Sequence, residues 1–318
     1  MKLTELYRSL SIPNLQWSVP LSRFTTMRVG GPADVLVITE TADELENAVT
    51  ELWKTDIPFM ILGGGSNVLV GDSGVRGMVI VNHARPGERF NFQQTESGET
   101  NTTTVYTESG VNFSGLVRQA VSRGFSGLEW AAGIPGTVGG AVIGNAGAHG
   151  SDVAGSLVVA EILHRMEGRQ QWPVEQLDYR YRDSVLKEER TPQPQVVVLS
   201  ATFKLVRTTP EILQSRLNAI AEKRRQSQPP GASMGSMFRN PPGDFAGRLI
   251  EAAGLKGTRH GGAEISSRHA NFFINSGDAT AADIYALVLL AQKAVFEKFG
   301  VNLELEIVLI GDITDVES

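Results

Sequence analysis

Glycine dominates residues 127–150, at a density that an ordered loop rarely carries. Fixing a glycine costs backbone entropy, and close approach of the backbone to a ligand is the usual compensation, because ligand acceptors then take the exposed N–H groups. A flexible linker is the alternative, but linkers are rich in serine, glutamine and charge. This stretch instead places Trp130, Ile134 and Val142 between its glycines. The composition therefore indicates a cofactor-binding loop.

A shorter glycine loop, residues 63–67, follows a predicted strand, which is where α/β proteins bind ligands. Neither loop matches a common nucleotide motif. Val68 stands where the Rossmann fingerprint that begins Gly63-x-Gly65 needs its third glycine. The chain also has no Gly-Lys pair, so it lacks a P-loop.

Acid–base chemistry could come from Glu306. A predicted final strand alternates its residues so that Glu306 shares a face with Val308 and Ile310. Burial on that face would raise the pKa of the carboxyl group unless a cation paired with it. A glutamate at a strand end that reaches solvent is the alternative.

Anion recognition could come from residues 179–184, which mix aromatic side chains with arginines. An ordinary surface cluster of salt bridges fits this pattern equally well.

One motif resembles that of a serine hydrolase, but its setting does not fit, and the histidines do not fit a metal site. Residues 231–235 read G-x-S-x-G, as in the nucleophile elbow of serine hydrolases. That elbow requires a hydrophobic strand before it, whereas the polar segment KRRQSQPP precedes this one. The histidines show no metal-ligand spacing, so no metal is expected; they are His83, His149, His164, His260 and His269.

Hydrophobic periodicity predicts two α/β lobes that would position these residues. The first is a βαβ unit whose helix begins at Thr41 with a capping box to Glu44. The predicted elements are a strand at 34–38, the helix from 41, strands at 58–62 and 103–107, a helix at 113–121, and strands at 157–163 and 196–206.

A domain boundary is predicted near residue 208, where Thr209-Pro210-Glu211 has the form of a helix start. The helix that begins there runs to about Arg225. The residues after 208 are predicted to form a compact α+β domain. Its other elements are a helix at 245–253, a strand at 271–275, a helix from 280 to 300 and a strand at 301–310.

The composition is typical of a soluble protein of about two domains. The net charge of −6 provides no field that would attract nucleic acid or anionic membrane. The absence of cysteine excludes disulfides and is compatible with a reducing compartment. No signal peptide or apolar membrane span is recognisable, so we expect a cytoplasmic protein.

A set of motifs in fixed order resembles the MurB family of UDP-N-acetylenolpyruvoylglucosamine reductases. The motifs are GGGSNVLV at 63–70, GIPGTVGGA at 133–141, YRDS at 181–184, GSMFRNP at 235–241, GLKG at 254–257, GGAEIS at 261–266 and HANFFIN at 269–275. The match runs from about 22 to 311 and resembles the shorter type II branch, which lacks the lid of type I enzymes.

The resemblance implies an α+β fold and non-covalent FAD. It places an N-terminal arm at 1–22, a two-lobed FAD-binding domain of the vanillyl-alcohol-oxidase (PCMH) type at 23–207, and a C-terminal α+β substrate domain at 208–318. Backbone N–H groups of the two glycine loops would cradle the FAD diphosphate. The implied cofactor-binding residues are Gly63, Gly64, Gly65, Ser66, Asn67, Ile134, Pro135, Gly136, Thr137, Gly140, Gly144, Asn145 and Ala146.

The implied reaction is reduction of a UDP-sugar enolpyruvyl ether by NADPH through FAD, in peptidoglycan biosynthesis. Arg182 would stabilise enolate charge, Glu306 would face Arg182 from the last strand and share in stabilising the enol, and Ser236 would donate the proton. The implied substrate-binding residues are Tyr181, Arg239, Asn240 and His269. Arg239 stands where the family often has lysine, and Leu305 where it commonly has proline.

Three alternatives remain open from the residues alone: another flavoenzyme of the same fold, a serine hydrolase and a nucleotide-sugar binding protein. Against another flavoenzyme, neither glycine loop proper contains a histidine that would suggest a covalent flavin link, and His149 at the end of the long loop is the nearest. The expected partners are the small-molecule substrate and NADPH, with neither nucleic acid nor membrane. The oligomeric state is not predicted.

Overall fold

A computed structural model describes residues 3–55, 57–84, 90–94, 102–188 and 193–313. By its internal contacts the chain divides into two units. Unit one comprises residues 1–16, 36–64 and 77–221, and unit two comprises 17–35, 65–76 and 222–318. Unit two includes two segments from the N-terminal third of the chain, so this division differs from the predicted domain ranges. Those ranges remain a proposal. Among the described helices, none combines the length and apolar composition that crossing a membrane requires.

Helices and strands are numbered separately in chain order. The helices of the described residues are α1 Leu3–Arg8, α2 Ala42–Thr55, α3 Phe113–Ser122, α4 Val138–Ile143, α5 Val185–Glu188, α6 Pro210–Ser227, α7 Ala246–Ala252 and α8 Ala281–Phe299. The strands are β1 Gln16–Pro20, β2 Pro32–Thr39, β3 Phe59–Leu62, β4 Val68–Val70, β5 Val75–Asn82, β6 Phe90–Gln94, β7 Thr102–Glu108, β8 Phe125–Ser126, β9 Gly147–Ala148, β10 Ser151–Asp152, β11 Leu157–His164, β12 Gly168–Pro173, β13 Val196–Arg207, β14 Arg259–His260, β15 Ala263–Ile265, β16 Phe273–Asn275 and β17 Val308–Ile310.

Helix α2 confirms its predicted apolar stripe, since Leu45, Val49 and Leu52 are fully buried. Its N-terminus differs in detail from a capping box. The Thr41 hydroxyl accepts from the Glu44 N–H at 3.0 Å, as predicted, but the Glu44 carboxylate accepts from the N–H of Glu40 instead of Thr41.

The two sheets of the N-terminal half are built differently. The first has the order β1-β2-β5-β3, so β5 lies between the two strands of the predicted βαβ unit. Strands β3 and β5 are parallel. The second sheet has the order β12-β11-β13-β7-β6 and is antiparallel along this path. The fold is therefore α+β, as predicted, although the second lobe is not built on parallel pairing.

Unit one buries one face of the antiparallel sheet beneath helices α3 and α4. Phe113, Leu116 and Val117 of α3 are fully buried in the same apolar cluster as Val138 of α4 and Phe203 of β13. This cluster fixes the start of α4, which carries the central part of the long glycine stretch.

Unit two is organised around α8, whose predicted capping box is observed. Thr280 accepts from the Asp283 N–H, and the Asp283 carboxylate accepts from the Thr280 N–H. Asp72 adds a second cap, because its carboxylate accepts from the N–H groups of Ala281 and Ala282 at 2.9 and 3.0 Å. Such caps typically contribute about 1 kcal/mol each. They hold α8 against the segment that follows β4.

The predicted final strand at 301–310 is wrong in length, since only β17, Val308–Ile310, is a strand. Residues before β17 make separate hydrogen bonds with the loop at 237–239 and no continuous ladder. The predicted alternation holds only in part: Leu303 and Ile307 are buried and Glu304 is exposed, but Leu309, predicted on the face of Leu303, is exposed.

Candidate active site

The two glycine loops meet within unit one. A Cβ atom added at Gly64 would lie 2.6 Å from the Gly136 Cα, and one added at Gly63 would lie 2.4 Å from the Thr137 hydroxyl oxygen. Real Cβ atoms do not approach other atoms so closely, so the backbone of Gly136 requires glycine at position 64, while a side chain at position 63 would displace the Thr137 hydroxyl. The two predicted cofactor loops therefore form one surface at this point.

This surface carries backbone N–H groups that the protein does not use. Within the described residues, the N–H groups of Gly64, Gly136 and Thr137 donate no hydrogen bond. Neighbouring groups are satisfied internally, because Val138 donates to the Val111 carbonyl and Gly139 donates to the Ser109 carbonyl. A cluster of unused N–H groups on a glycine-lined surface fits an anion such as a diphosphate. The residues present therefore fit the FAD that the sequence implies.

Arg182 lies in a tight turn of unit one. Arg180 and Asp183 exchange both of their backbone hydrogen bonds at 3.1 Å, so Tyr181 and Arg182 form the tip. Arg182 has a φ of +58°, a left-handed conformation that non-glycine residues seldom adopt. Such strain persists only where the surroundings impose it, and it is concentrated at functional sites.

The surroundings of this turn anchor it to the end of α4. The Tyr179 hydroxyl donates to the Val142 carbonyl at 2.8 Å, and the Ser184 hydroxyl donates to the Ile143 carbonyl at 2.6 Å. Burial, and then the charge of Asp152, raise the pKa of Tyr179, so its phenol stays protonated as a donor. These two bonds satisfy carbonyls at the C-terminus of α4, where helices lack internal donors.

Asn145 ties the glycine stretch to the same turn. Its side-chain amide donates to the Arg180 carbonyl at 3.0 Å and accepts from the Ala154 N–H at 3.1 Å. The residue is 4% exposed and has a φ of +42°. Its amide therefore has a positioning role in this structure, and a direct part in cofactor binding stays a prediction.

The Arg182 guanidinium lies beside the end of the glycine stretch. A Cβ added at Gly147 would be 3.5 Å from the Arg182 Nη1. Tyr181 is 58% exposed, and the Arg182 guanidinium carbon lies 5.7 Å from its ring centroid. Unit one thus presents a cation and an exposed aromatic ring next to the loop predicted to hold FAD.

In unit two the backbone of Glu306 pairs with the residue that follows Ser236. The Glu306 N–H donates to the carbonyl of Met237, the residue after Ser236, at 2.9 Å. The Arg239 N–H donates to the Glu304 carbonyl, also at 2.9 Å. Two segments that are distant in sequence thus run antiparallel, and both predicted catalytic side chains are half-buried.

Asn271 fixes this arrangement and was missed by the sequence analysis. Its side chain accepts from the Phe238 N–H at 2.9 Å and donates to the Phe238 carbonyl at 2.8 Å. It is 2% exposed. An amide within the apolar run at 270–274 was the available signal, since a buried polar side chain needs partners.

Three predicted substrate-binding residues also lie in unit two. The Arg239 Nε is buried and has no hydrogen-bond partner among the described residues, so the guanidinium can bind an anionic ligand. Asn240 accepts from the Ala246 N–H at 3.1 Å through its Oδ1. The Nδ1 of His269 accepts from the Asn271 N–H at 3.2 Å. Burial lowers the pKa of His269, which favours the neutral ring with its proton on Nε2.

The shorter glycine loop continues into unit two through Gly65, Ser66 and Asn67. The Asn67 amide donates to the Glu306 carbonyl at 3.0 Å, and the Val308 N–H donates to the Asn67 carbonyl at 2.9 Å. The last residue of a predicted cofactor loop is therefore bonded to a predicted catalytic residue.

Residues 231–235, whose sequence matches the nucleophile elbow of hydrolases, also lie in unit two. Helix α6 ends at Ser227, and no strand lies between it and Ser233 in this described region. The geometry therefore lacks the strand–turn–helix setting of a nucleophile elbow, as the sequence indicated.

Comparison with known proteins agrees with the geometry. Residues 33–167 match the family described as FAD binding domain, and residues 226–310 match that described as UDP-N-acetylenolpyruvoylglucosamine reductase, C-terminal domain. A reductase of that name from Chloroflexus aggregans is 44% identical over 301 residues, covering 94% of this chain and 99% of that protein. The one from Bacillus subtilis is 40% identical over 294 residues, covering 92% of each chain.

A solved structure extends the similarity to the fold. The crystal structure of the reductase from Thermus caldophilus superposes with a TM-score of 0.75 at 36% identity, covering 94% of this chain and 99% of that one.

Proposed function

Because the chain belongs to the UDP-N-acetylenolpyruvoylglucosamine reductase family of FAD-dependent oxidoreductases, we propose that Arg182, Ser236 and Glu306 carry out its reaction. That reaction is the NADPH-dependent reduction of the enolpyruvyl ether of UDP-N-acetylglucosamine to UDP-N-acetylmuramate. FAD held by the two glycine loops, once reduced by NADPH, would supply the hydride for the methylene carbon of the substrate.

The chain supplies the proton and the charge stabilisation. Ser236 donates a proton to the α carbon of the enolate that hydride addition creates. Arg182 stabilises the negative charge of that enolate, which is the contribution that usually dominates such reactions. Glu306 shares in stabilising the enol. A serine hydroxyl is a weak acid, so its position must be fixed within hydrogen-bond reach of the carbon it protonates.

The pairing of residues 237–239 with 304–306 is the observation that best supports these roles. The backbone of Glu306 is bonded to Met237, the residue after Ser236, which supports a shared role for the two side chains. The buried Nε of Arg239, which has no partner among the described residues, supports binding of the anionic substrate. Tyr181, Asn240 and His269 complete the proposed substrate contacts.

The FAD contacts are proposed at residues 63–67 and 134–146, where glycines of the two loops meet. The product of the reaction is a precursor of peptidoglycan, so the proposal extends to a role in cell-wall biogenesis and hence in cell shape, growth and division. We also propose a cytoplasmic location, with which the absence of cysteine is compatible.

Separate measurement of the two half-reactions tests the assignment of Ser236. Purified protein should be yellow, NADPH should bleach it anaerobically, and the enolpyruvyl substrate should restore the colour. Ser236→Ala should leave bleaching intact and slow recovery by about 10²- to 10⁴-fold, since it removes the proton donor. Ser122→Ala, which removes an exposed hydroxyl on α3, is the control. Equal loss in both half-reactions would show that Ser236 has a structural role.

A further inference from the structure

Thr26 joins the shorter glycine loop to the segment that carries Ser236. Its hydroxyl donates to the Ser233 carbonyl at 2.7 Å, and its backbone N–H donates to the Gly65 carbonyl at 3.0 Å. All of these residues belong to unit two. One residue thus contacts both a predicted FAD loop and the segment leading to the predicted proton donor.

The contact with Gly65 is tightly constrained. Gly65 has a φ of +56°, and a Cβ there would lie 2.0 Å from the carbonyl oxygen of Phe24. The shorter glycine loop is therefore pressed against the backbone that leads to Thr26. A shift of this loop would be transmitted to Thr26, because the two are in direct backbone contact.

The segment around Ser236 is held on both sides by hydrogen bonds from distant parts of unit two. On its far side, the Met237 N–H donates to the Asn271 carbonyl at 2.8 Å, which fixes the chain just after Ser236. On its near side, Gly235 has a φ of +82°, and a Cβ there would meet no atom within 4 Å. No side chain packs the backbone in place at Gly235, so its position depends on the bonds ahead of it. These are the bond from the Asn275 N–H to the Ala232 carbonyl at 3.0 Å and the bond from the Thr26 hydroxyl to the Ser233 carbonyl at 2.7 Å.

We propose that Thr26 is a positioning residue that sets the position of the Ser236 hydroxyl relative to the FAD loop. Thr26 does not act on the reacting atoms itself. This inference rests on the proposed role of Ser236, and it adds a residue outside every motif that identified the family. Misplacement of a catalytic group by about 1 Å can cost about 100-fold in rate, so the loss of one fixing bond should have a measurable effect.

The test compares Thr26→Val with Thr26→Ser. Valine has nearly the same shape but no hydroxyl, so it should slow recovery of the flavin colour by about 10- to 100-fold while NADPH bleaching stays unchanged. Serine should restore most of the rate. The solvent deuterium isotope effect on recovery should rise in Thr26→Val, because proton transfer from Ser236 then limits the rate. Thr55→Val, at the exposed end of α2, is the control for loss of a hydroxyl.

Several outcomes would overturn the inference: a wild-type recovery rate in Thr26→Val, equal losses in both half-reactions, or no rescue by serine. If Thr26→Val fails to fold, Thr26→Ala replaces it, with thermal melting to confirm folding. Failure of the wild-type protein to recover with the enolpyruvyl substrate would instead overturn the proposed function. If Ser236→Ala recovered its flavin colour at the wild-type rate while Thr26→Val recovered slowly, Thr26 would be acting through a group other than Ser236.

Discussion

Replacing Gly140 with alanine should stabilise the cofactor-free protein and weaken its binding of FAD. Gly140 lies within helix α4, it is exposed, and its φ is not in the left-handed region. A Cβ there would meet the Thr137 hydroxyl oxygen at 3.7 Å, which is ordinary contact. Neither the backbone conformation nor the packing of the protein therefore requires glycine at this position.

The magnitude follows from helix energetics and from the space that FAD would occupy. Alanine in place of a helical glycine gains about 0.5–1 kcal/mol. For a domain of this size that gain raises the melting temperature of the apoprotein by about 1–4 °C. If FAD packs against Gly140, the added methyl group costs about 1–3 kcal/mol of binding. That cost is roughly a 5- to 150-fold increase in Kd.

The assay is thermal melting of the apoprotein together with a fluorescence titration of FAD. Gly155→Ala is the matched control, because Gly155 is also exposed with a non-positive φ, and its Cβ would have no neighbour nearer than 3.8 Å. It lies outside the predicted cofactor loops, so its FAD affinity should stay unchanged. An unaltered FAD affinity in Gly140→Ala would refute the proposed contact with α4, and a destabilised apoprotein would refute the packing argument.

Three further predictions concern the glycine contact, the carboxylate and a histidine. Gly64→Ala should lose FAD and melt at a lower temperature, because its Cβ would overlap the backbone at Gly136; normal melting and flavin content would contradict this. Glu306→Gln should keep FAD and NADPH bleaching but slow recovery with substrate, and colourless protein would show that Glu306 supports the fold. Burial lowers the pKa of His269 in the folded protein below the usual 6.5. As the pH falls through that range, the unfolded chain binds this proton more strongly than the folded protein does, so the free energy of unfolding decreases. His269→Gln should reduce the loss in melting temperature between pH 7.5 and 5.5, and an unchanged loss would exclude His269 as its source.

Helices were the part of the fold that the sequence predicted best, because their signals are local. The stripe of Leu45, Val49 and Leu52 and the Thr280–Asp283 box both depend on residues within a few positions of one another. The strand predicted at 301–310 was wrong for the residues before β17, because residues 304–306 bond to the loop at 237–239, which lies far away in sequence. Pairing with a distant loop leaves no local pattern.

Prediction of the site depended on motifs more than on spacing. The residues alone left the roles of Glu306 and of residues 179–184 open, and only the ordered set of motifs assigned them. The residues that hold the site in place were not foreseen. Thr26 and Asn271 act through backbone carbonyls and N–H groups, and any segment offers such groups, so sequence carries little information about which one a side chain will contact.

The left-handed backbone of Arg182 has a consequence for protein engineering. Glycine or asparagine would adopt a φ of +58° with less strain, so either replacement should make the turn easier to form. The same change would delete the guanidinium beside the glycine stretch. Under the role proposed for Arg182, a screen that selects only for heat resistance would therefore be drawn toward variants that lose activity at this position, and thermostabilised libraries of this enzyme should hold codon 182 fixed.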